Sequence, residues 1–429
     1  MTLDVQLVDG DLIADLEARG LIHDSTDREH LRALVADGPV GIYYGCDPTA
    51  DSLHVGNLIG LVMLRRFQDA GHRAIALAGG ATGMIGDPGG RSEERNLLDD
   101  ETLDHNVRRI KAQLGRIVDL EQPDRGVLVD NREWTQPITV LEFLRDVGKH
   151  VTVNQMLARE SVKARIASEN GISFTEFSYM LLQANDYLWL HEHEDCTIQV
   201  GGSDQWGNIL SGVDFIRRKR GTAVHGFCWP LLTAADGTKL GKTTGARMWL
   251  DPERTSPYAL WQHFLQTSDD DVRRQLLTFS LRPVAEIEEI VAAHLEAPFK
   301  RVAQRTLADD VVALLHGPSA ASGASEAADL LFAKDPTDAS RAALEVLASE
   351  IPSTEMSISE IEDTLDVLVT TGLASSRGDA RRTITDNGYS VNGVKLGEKD
   401  QLSGQKRLHG EYLLLARGRK LHHLLRIFS

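Results

Sequence analysis

The stretch YYGCDPTADSLHVGN, residues 43–57, decides how the first half of the chain folds. The residues that lead into it, VGIYY, are apolar and β-branched, which predicts a short buried strand. After the turn, apolar residues recur at helical spacing, and Asp51 or Ser52 is placed to cap the helix start. A strand that runs through a tight turn into a helix N-terminus directs free backbone N–H groups at one point, which favours a phosphate. His54 and Asn57, three residues apart, can then donate to the same anion.

Taken alone, this pattern is better explained by an ordinary strand-to-helix turn with a surface histidine. A second short motif, KLGKT at residues 239–243, follows the turn Ala-Asp-Gly much further along the chain. A P-loop is a weaker alternative for this region, because the glycines at 237 and 241 enclose three residues rather than four. Two more segments, GGATGMIGDP and QVGGSDQWGN, carry glycines that let backbone approach a ligand closely.

The two short motifs, HVGN and KLGKT, resemble the HIGH and KMSKS signatures of class I aminoacyl-tRNA synthetases. Five blocks between residues 43 and 243 are similar to those of the bacterial tyrosyl-tRNA synthetase family, and they occur in the family's order: YYGCDPTADSLH, GGATGMIGDP, FTEFSYMLLQANDY, QVGGSDQWGN and DGTKLGKT. A sixth block near the C-terminus extends the resemblance to nearly the full length. Asn57 stands where this family usually has histidine, and Tyr44 and Cys46 also depart from its usual pattern.

The length and composition are those of an ordinary globular protein with two or three domains, since 429 residues exceed a single core. Three widely spaced cysteines argue for reduced thiols, and hence for a cytoplasmic protein, rather than a disulfide framework. No apolar run approaches the ~20 residues that a membrane span needs, and the acidic first residues do not form a signal peptide. The net charge of −17 excludes a protein that coats nucleic acid indiscriminately, but it permits a local basic face.

Strands and helices alternate between about residues 40 and 250, which predicts a Rossmann-like α/β catalytic domain over residues 1–250. The strand candidates are VGIYYGC, RAIALAGG, GVLVDN and CTIQVGG, and amphipathic helices fall at 54–70, 101–118 and 203–218. Ligands of open α/β sheets bind beyond the carboxyl ends of the strands, where Tyr43, Asp87, Gln199 and Asp204 fall.

Residues 131–170 are mostly helical and interrupt this alternation. By resemblance they form the insertion that carries the family's dimer contact, and we expect a homodimer. Residues 251–317 predict an α-helical domain, which by resemblance lies on the anticodon side of the tRNA. Residues 318–358 predict a linker with one helix in 339–349. Residues 359–429 resemble a small α+β S4-like RNA-binding domain, with Asn-Gly turns flanking the strand YSV.

The apolar segment FTEFSYMLLQANDYLWL carries Tyr179, Gln183 and Asp186 on one helical face. A buried carboxylate is costly unless a donor meets it, so this stripe calls for a polar partner; a helix face in water is the alternative. The resemblance implies that Tyr179 and Gln183 hold the α-amino group of tyrosine together with Asp87, and that Asp186 and Tyr43 bind its phenol. The whole implied tyrosine pocket comprises Tyr43, Asp87, Tyr179, Gln183, Asp186, Gln199 and Gln205.

The resemblance also implies ATP as a substrate, accompanied by Mg²⁺. It assigns nucleotide contacts to Asp47, His54, Asn57, Asp204, Lys239 and Lys242. The residues that it places at the reacting phosphates are Thr49, His54, Asn57, Lys239, Lys242 and Thr243. No nucleophile–base pair is needed, because positioning and stabilisation of charge on the leaving phosphates suffice for this chemistry. Arg91 and Arg95 are further candidates for the pyrophosphate.

The last 58 residues, from Gly372 onward, contain eleven basic and five acidic residues, a net charge of +6 in an acidic chain. Such a face binds RNA phosphates or is simply solvated. By resemblance we expect tRNA to contact Arg377, Arg381, Arg382, Lys395, Lys406, Arg407 and Arg417. The cluster HEHED at 191–195 fits no common zinc spacing, and we expect no bound metal there.

The reaction implied is tyrosine–tRNA ligation in two steps, through tyrosyl-adenylate. Tryptophanyl-tRNA synthetase, whose first motif often ends in asparagine, is the nearest alternative; Asp186, Tyr43 and the S4-like tail argue against it. A synthetase-derived RNA-binding protein without catalytic activity is the other alternative, and the intact Lys239 and Lys242 argue against that.

Overall fold

The computed structural model describes residues 6–87, 98–167, 171–231, 247–331, 336–418 and 420–428. The chain divides into two compact units. Unit 1 comprises residues 1–255 and 267–303, and unit 2 comprises residues 256–266 and 304–429. In the described ranges, no helix combines the length and the apolar character that crossing a membrane requires.

Unit 1 is built on a six-stranded sheet, which confirms the Rossmann-like α/β prediction. Its strands are β1 (Asp24–Ser25), β2 (Gly41–Cys46), β3 (Arg73–Ala78), β4 (Gly126–Asp130), β5 (Cys196–Gly202) and β6 (His225–Trp229). They lie in the order β1-β6-β5-β2-β3-β4, and only β1 is antiparallel to its neighbour. The chain runs outward from β2 through β3 to β4 and then returns to the other side as β5 and β6. The direction of winding therefore reverses between β2 and β5, which is where ligands of such sheets bind.

Unit 1 also contains the α-helices of the chain up to residue 220. They are α1 (Leu12–Ala18), α2 (Arg28–Asp37), α3 (Val55–Asp69), α4 (Asp100–Ile117), α5 (Arg132–Thr135), α6 (Val140–Asp146), α7 (Val153–Leu157), α8 (Glu160–Ile166), α9 (Phe174–His193) and α10 (Trp206–Arg220). Four short helices, α5 to α8, fill the segment that was predicted to interrupt the sheet. Strands β1 and β6 were not predicted, because HGFCW and the two-residue β1 have neither alternation nor a long apolar run.

Helix α3 is capped differently from the prediction. His54 is its N-cap and accepts a hydrogen bond from the Gly56 N–H through Nδ1 (3.0 Å), while Asn57 Oδ1 accepts from the His54 N–H (3.1 Å). Asp51 and Ser52 are not caps, because both are engaged elsewhere. Asp51 pairs with Arg254, and the Ser52 hydroxyl donates to the Leu53 carbonyl (2.8 Å).

Unit 2 contains a five-stranded sheet and, in its described residues, six helices. The remaining helices of the chain are α11 (Pro257–Leu265), α12 (Asp269–Phe279), α13 (Val284–Glu296), α14 (Val302–His316), α15 (Pro318–Leu330), α16 (Arg341–Glu350), α17 (Thr364–Thr370) and α18 (Arg377–Thr385). Of these, α12 and α13 belong to unit 1. The strands are β7 (Ser353–Ser357), β8 (Tyr389–Val391), β9 (Val394–Lys395), β10 (Tyr412–Arg417) and β11 (Leu421–Phe428), in the order β7-β11-β10-β8-β9.

Two domain boundaries differ from the sequence prediction. Residues 318–358 are not a linker: α15 and α16 pack Ala327, Leu330 and Leu344 into one buried cluster with Leu414 and Tyr412 of β10. The segment 251–317 is not a separate helical domain, since α11 and most of α14 lie in unit 2 while α12 and α13 lie in unit 1. A helix in 339–349 is confirmed as α16.

Candidate active site

The site lies at the carboxyl ends of β2 and β5, where the winding of the sheet reverses. Tyr43 of β2 is paired in register with Gln199 of β5, so the two side-chain positions are neighbours. Both residues are buried, at 3% and 2% exposure. The side-chain oxygen of Gln199 is one of the buried atoms that has no hydrogen-bond partner among the described residues, which leaves an acceptor for a ligand at this point.

Asp186 of α9 is held by two donors that the sequence did not indicate. Asn131 Nδ2 donates to its Oδ2 (2.9 Å), and Trp134 Nε1 donates to its Oδ1 (2.8 Å). Asp186 is 1% exposed. Burial raises the pKa of this carboxyl to about 7, against the lowering effect of the two donors. Near neutral pH the Asp186 carboxyl is therefore close to its pKa, and a hydrogen-bond donor from a ligand would favour its charged form.

Tyr43 is buried in the same hydrophobic cluster as residues of α9, the helix that carries Asp186. Burial raises the pKa of the Tyr43 phenol well above its ordinary value, and the charge of Asp186 adds to this increase. The ring of Tyr43 lies 6.2 Å from that of Tyr187, and a Cβ atom on Gly45 would come within 3.2 Å of the Tyr43 hydroxyl. Glycine at position 45 therefore leaves space for the Tyr43 hydroxyl.

A second carboxylate, Asp47, joins two groups of residues that the sequence kept apart. The Tyr179 hydroxyl donates to Asp47 Oδ2 (2.8 Å) and the Thr82 hydroxyl donates to Oδ1 (2.7 Å). Thr82 Oγ1 in turn accepts from Asn131 Nδ2 (3.0 Å), which also contacts Asp186. Tyr179, assigned to tyrosine, and Asp47, assigned to ATP, are therefore direct partners in one continuous network.

Asp87 and Gln205, both predicted for the tyrosine site, are direct hydrogen-bond partners. Gln205 Nε2 donates to Asp87 Oδ2 (2.5 Å), and Gln205 Oε1 accepts from Asn208 Nδ2 (3.2 Å). Asp87 is 7% exposed. Gln183 lies on the same helix face as Tyr179, and its side-chain oxygen is buried without a partner among the described residues.

The first turn of α3 and the residues before it form the predicted phosphate site. Because His54 Nδ1 accepts from the helix, the proton of the neutral ring lies on Nε2, which is then the atom free to donate to a ligand. Burial, aided by the charge of Arg247, lowers the pKa of His54 to about 4, so the ring is neutral at pH 7. Thr49 and Asp204 are both exposed, and Asp204 is the second residue after the end of β5.

The backbone that follows the second signature motif is joined to the first. Val55 N–H donates to the Met248 carbonyl (3.0 Å) and Leu250 N–H donates to the Leu53 carbonyl (2.8 Å). Trp249 lies beneath the guanidinium of Arg254, which is 4.0 Å from the ring centroid. The predicted residues Lys239, Lys242 and Thr243, and also Arg91 and Arg95, lie outside the described residues.

Two of the predicted RNA contacts are engaged in ion pairs within unit 2. Arg377 pairs with Asp363 (2.8 Å) and with Asp366. Arg417 pairs with Asp379 (2.9 Å) and donates to the Leu373 carbonyl (2.8 Å). These two arginines therefore also stabilise the unit that carries them.

The other predicted RNA contacts are more open. Arg381, Arg382, Lys395 and Lys406 are exposed and Arg407 is half-buried; Lys395 Nζ donates to the Asn387 carbonyl (2.7 Å). In the HEHED cluster, His191 contacts the Cys196 carbonyl (2.8 Å) and His193 stacks on Trp189, with ring centroids 4.4 Å apart. The described residues contain no group of three potential metal ligands.

The sheet order and the strand-turn-helix site are those of a class I tRNA synthetase. The family model for class I tRNA synthetases (W and Y) matches residues 36–333, and a model for the tyrosine–tRNA ligase SYY-like C-terminal domain matches residues 343–425. The tyrosine–tRNA ligase of Opitutus terrae is 46% identical over 422 residues, 97% of this chain and 99% of its own length. That of Anaeromyxobacter dehalogenans is 47% identical over 420 residues, with coverage of 97% and 99%.

Among solved structures, a C-terminally truncated mitochondrial tyrosyl-tRNA synthetase of Aspergillus nidulans matches with a TM-score of 0.68 and 35% identity, over 75% of this chain and 94% of that one. The chain therefore belongs to the tyrosine–tRNA ligases of the class I synthetase family. A tryptophanyl-tRNA synthetase from Plasmodium falciparum, at 13% identity and a TM-score of 0.53, shares the fold alone. The tryptophanyl alternative is not favoured.

Proposed function

We propose that this chain activates L-tyrosine with ATP and then transfers the tyrosyl group to tRNA(Tyr). The observation that carries the proposal is the buried pair of Tyr43 and Asp186 at the point where the sheet reverses. Asp186 is oriented by Asn131 and Trp134 and sits in a region that excludes water. A phenol hydroxyl that arrives there supplies the further donor that this carboxylate lacks in its apolar surroundings.

The same pocket offers groups for the amino end of the amino acid. An ammonium needs acceptors, and the partnerless oxygen of Gln183 and the carboxylate of Asp87 are acceptors on the walls. Tyr179 is fixed through its own hydroxyl by Asp47 (2.8 Å), so its oxygen retains a lone pair for an ammonium hydrogen. Gln199 and Gln205 complete the pocket in this proposal.

ATP is proposed to bind over the first turn of α3, with Mg²⁺ as part of the nucleotide substrate. His54 would donate through Nε2, Asn57 through its amide and Thr49 through its hydroxyl, while Asp47 and Asp204 would bind on the nucleotide side. A 15-residue helix presents its positive end here. The proposal keeps Lys239, Lys242 and Thr243 as contacts to the pyrophosphate.

The chemistry follows from this arrangement. A carboxylate oxygen of tyrosine attacks the α-phosphorus, and the bond from that phosphorus to the bridging oxygen breaks to release pyrophosphate. Neutral donors at His54 and Asn57 stabilise the negative charge that develops on the phosphate oxygens. In the second step a ribose hydroxyl at the 3′ end of the tRNA attacks the tyrosyl carbonyl, and AMP leaves.

Unit 2 is proposed to bind the tRNA through Arg381, Arg382, Lys395, Lys406 and Arg407. They are basic residues on or beside the sheet and helices matched by the C-terminal family model, where phosphate contacts would give a salt-dependent affinity. Arg377 and Arg417 are proposed as phosphate contacts that contribute less to the affinity for tRNA, because their charges are already paired with carboxylates.

A homodimer is proposed because the helical insertion exposes large apolar side chains. They are Val140 (75%), Leu141 (79%), Leu144 (52%), Val153 (59%), Leu157 (40%) and Ile166 (49%), and Phe174 at the start of α9 is exposed as well (76%). Exposed apolar surface of this extent marks a protein interface, and twofold pairing is the commonest way to cover it. A cytoplasmic location is proposed because Cys46, Cys196 and Cys228 are free, buried thiols.

The proposal is tested by amino-acid-dependent ATP–pyrophosphate exchange, followed by charging of purified tRNA(Tyr) and tRNA(Trp). We expect exchange with tyrosine and charging of tRNA(Tyr) alone. Exchange that depends on tryptophan would establish the alternative specificity. RNA binding without exchange for any amino acid would establish a non-catalytic RNA-binding protein.

A further inference from the structure

Tyr44, Cys46 and Asn57 meet at one place in the structure. Tyr44 and Cys46 are two residues apart on β2, so their side chains project from the same face of the sheet. Asn57 lies in the first turn of α3, which packs on that face. Tyr44 and Cys46 are buried, at 8% and 4% exposure.

Gly60 of α3 makes this meeting sterically possible. A Cβ atom on Gly60 would lie 2.2 Å from Cζ of Tyr44 and 2.3 and 2.5 Å from its two Cε atoms. The tip of the Tyr44 ring therefore occupies the space that any other residue at position 60 would need. Trp229 of β6 packs against the ring from the side, with centroids 5.7 Å apart. Asn57 lies one helical turn before Gly60 on the same face of α3, and its side chain is a hydrogen-bond partner of the Tyr44 hydroxyl.

The orientation of the Asn57 amide is set by the helix cap. Its Oδ1 accepts from the His54 N–H (3.1 Å), so the NH₂ group points away from the cap. Burial raises the pKa of the Tyr44 phenol well above its ordinary value; the Cys46 thiol adds to this, and the Asn57 amide opposes it. The hydroxyl is therefore protonated at all relevant pH values and lies between an amide donor and a thiol.

We propose that Tyr44 is a positioning residue for Asn57, and that Gly60 provides the room for it. The Tyr44 oxygen accepts one N–H of the Asn57 amide, and the second N–H of that amide is then free to donate to bound ATP. The proposal rests on the proposed function, in which Asn57 donates to ATP.

The alternative is that Tyr44 is only a packing residue between α3 and β6. Tyr44→Phe separates the two readings, because phenylalanine keeps the ring and removes the hydroxyl alone. We expect kcat/KM for ATP in tyrosine-dependent pyrophosphate exchange to fall about threefold to tenfold, the range of one neutral hydrogen bond. The KM for tyrosine should stay unchanged. Tyr389→Phe is the matched control and should leave exchange unchanged. Tyr389 lies in unit 2, and its buried hydroxyl donates to a backbone carbonyl (3.0 Å).

A double-mutant cycle with Asn57→Ala completes the test. If Tyr44 acts through Asn57, adding Tyr44→Phe to Asn57→Ala should change kcat/KM for ATP less than about twofold. Three results would overturn the inference while leaving the proposed function intact. They are an equal loss in both backgrounds, no loss from Tyr44→Phe alone, and a loss confined to the KM for tyrosine. A wild-type chain without tyrosine-dependent exchange would overturn the proposed function and this inference together.

Discussion

Replacing Gly60 by alanine should destabilise unit 1, although glycine-to-alanine changes inside helices normally stabilise. Alanine in a helix interior is favoured over glycine by about 0.5–1 kcal/mol. At position 60, however, the new methyl group would lie 2.2 Å from Tyr44 Cζ. Ordinary contact between carbon atoms begins near about 3.5 Å, so the ring or the helix has to move by about 1 Å. Such overpacking costs about 1–3 kcal/mol, and subtracting the helix-propensity gain leaves a net loss of about 0–2.5 kcal/mol.

The sign of this effect should reverse when the ring is removed. In a Tyr44→Ala background the space over α3 is empty, so Gly60→Ala should stabilise by about 0.5–1 kcal/mol, as helix propensity alone dictates. Gly115→Ala is the matched control, because Gly115 is an exposed helical glycine of α4, and a Cβ atom added there would meet nothing within 4 Å. It should stabilise in both backgrounds.

The assay is urea unfolding followed by tryptophan fluorescence. Five of the six tryptophans lie in unit 1, so the signal reports mainly on that unit. The quantity to extract is the coupling free energy between positions 44 and 60, expected to be about 2 kcal/mol. If Gly60→Ala stabilises the otherwise unchanged chain as Gly115→Ala does, the Tyr44 ring does not occupy the space over α3, and the argument for Asn57 fails with it.

Three further predictions concern the tyrosine pocket, unit 2 and the helical insertion. Because the folded Asp186 carboxyl has a pKa of about 7 against an ordinary 3.8, it keeps a proton that the unfolded chain has released, and stability falls as pH rises from about 4 to 7. At about 1.36 kcal/mol per pH unit, roughly 2–3 kcal/mol of unfolding free energy should be lost between about pH 5 and pH 8. Asp186→Asn should abolish this part of the pH dependence in urea unfolding, and an unchanged pH dependence would contradict the prediction. Arg381→Ala should reduce the salt dependence of tRNA binding by about one phosphate contact, whereas Arg377→Ala, whose guanidinium is paired with Asp363, should reduce it less; equal reductions would refute the distinction. Leu141→Asp should convert a dimer of the 47.2-kDa chain into monomers in sedimentation at micromolar concentration. Leu295→Asp is the control and should leave the dimer intact, because Leu295 is equally apolar and 67% exposed but lies on α13. A monomeric wild type would disprove the proposed dimer.

The sequence predicted the parts of the fold that local patterns encode. Strands β2 to β5 were identified because each is a short apolar run closed by a turn residue. Helix α9 was identified because its apolar and polar residues alternate at helical spacing. Strand β6 was missed because HGFCW includes glycine and histidine, and its burial comes from its neighbours in the sheet. The segment 318–358 was taken for a linker because it is rich in alanine and serine, but Ala321, Ala324 and Ala328 are small enough to pack closely at helical spacing.

The sequence predicted only those features of the site that lie within a single segment of the chain. Asp186 was identified from its position on an apolar helix, which calls for donors. Which donors meet it depends on the end of β4 and on α5, more than 50 residues earlier in the chain, and no local pattern names Asn131 or Trp134. The ion pairs of Arg377 and Arg417 were missed for the same reason, since net charge counts residues without showing which acids fold beside them.

The most direct test of the account is the discrimination between tyrosine and phenylalanine by the wild type and by Asp186→Ala. A site that buries polar groups rejects the ligand lacking the matching hydroxyl, an effect for which tyrosyl-tRNA synthetases are themselves the usual example. Asp186→Ala should lower kcat/KM for tyrosine in pyrophosphate exchange far more than for phenylalanine, and Tyr43→Phe should narrow the ratio by about the worth of one hydrogen bond, ~1 kcal/mol. A ratio of the two kcat/KM values that is the same in Asp186→Ala as in the wild type would show that Asp186 does not bind the phenol and would contradict the proposed pocket.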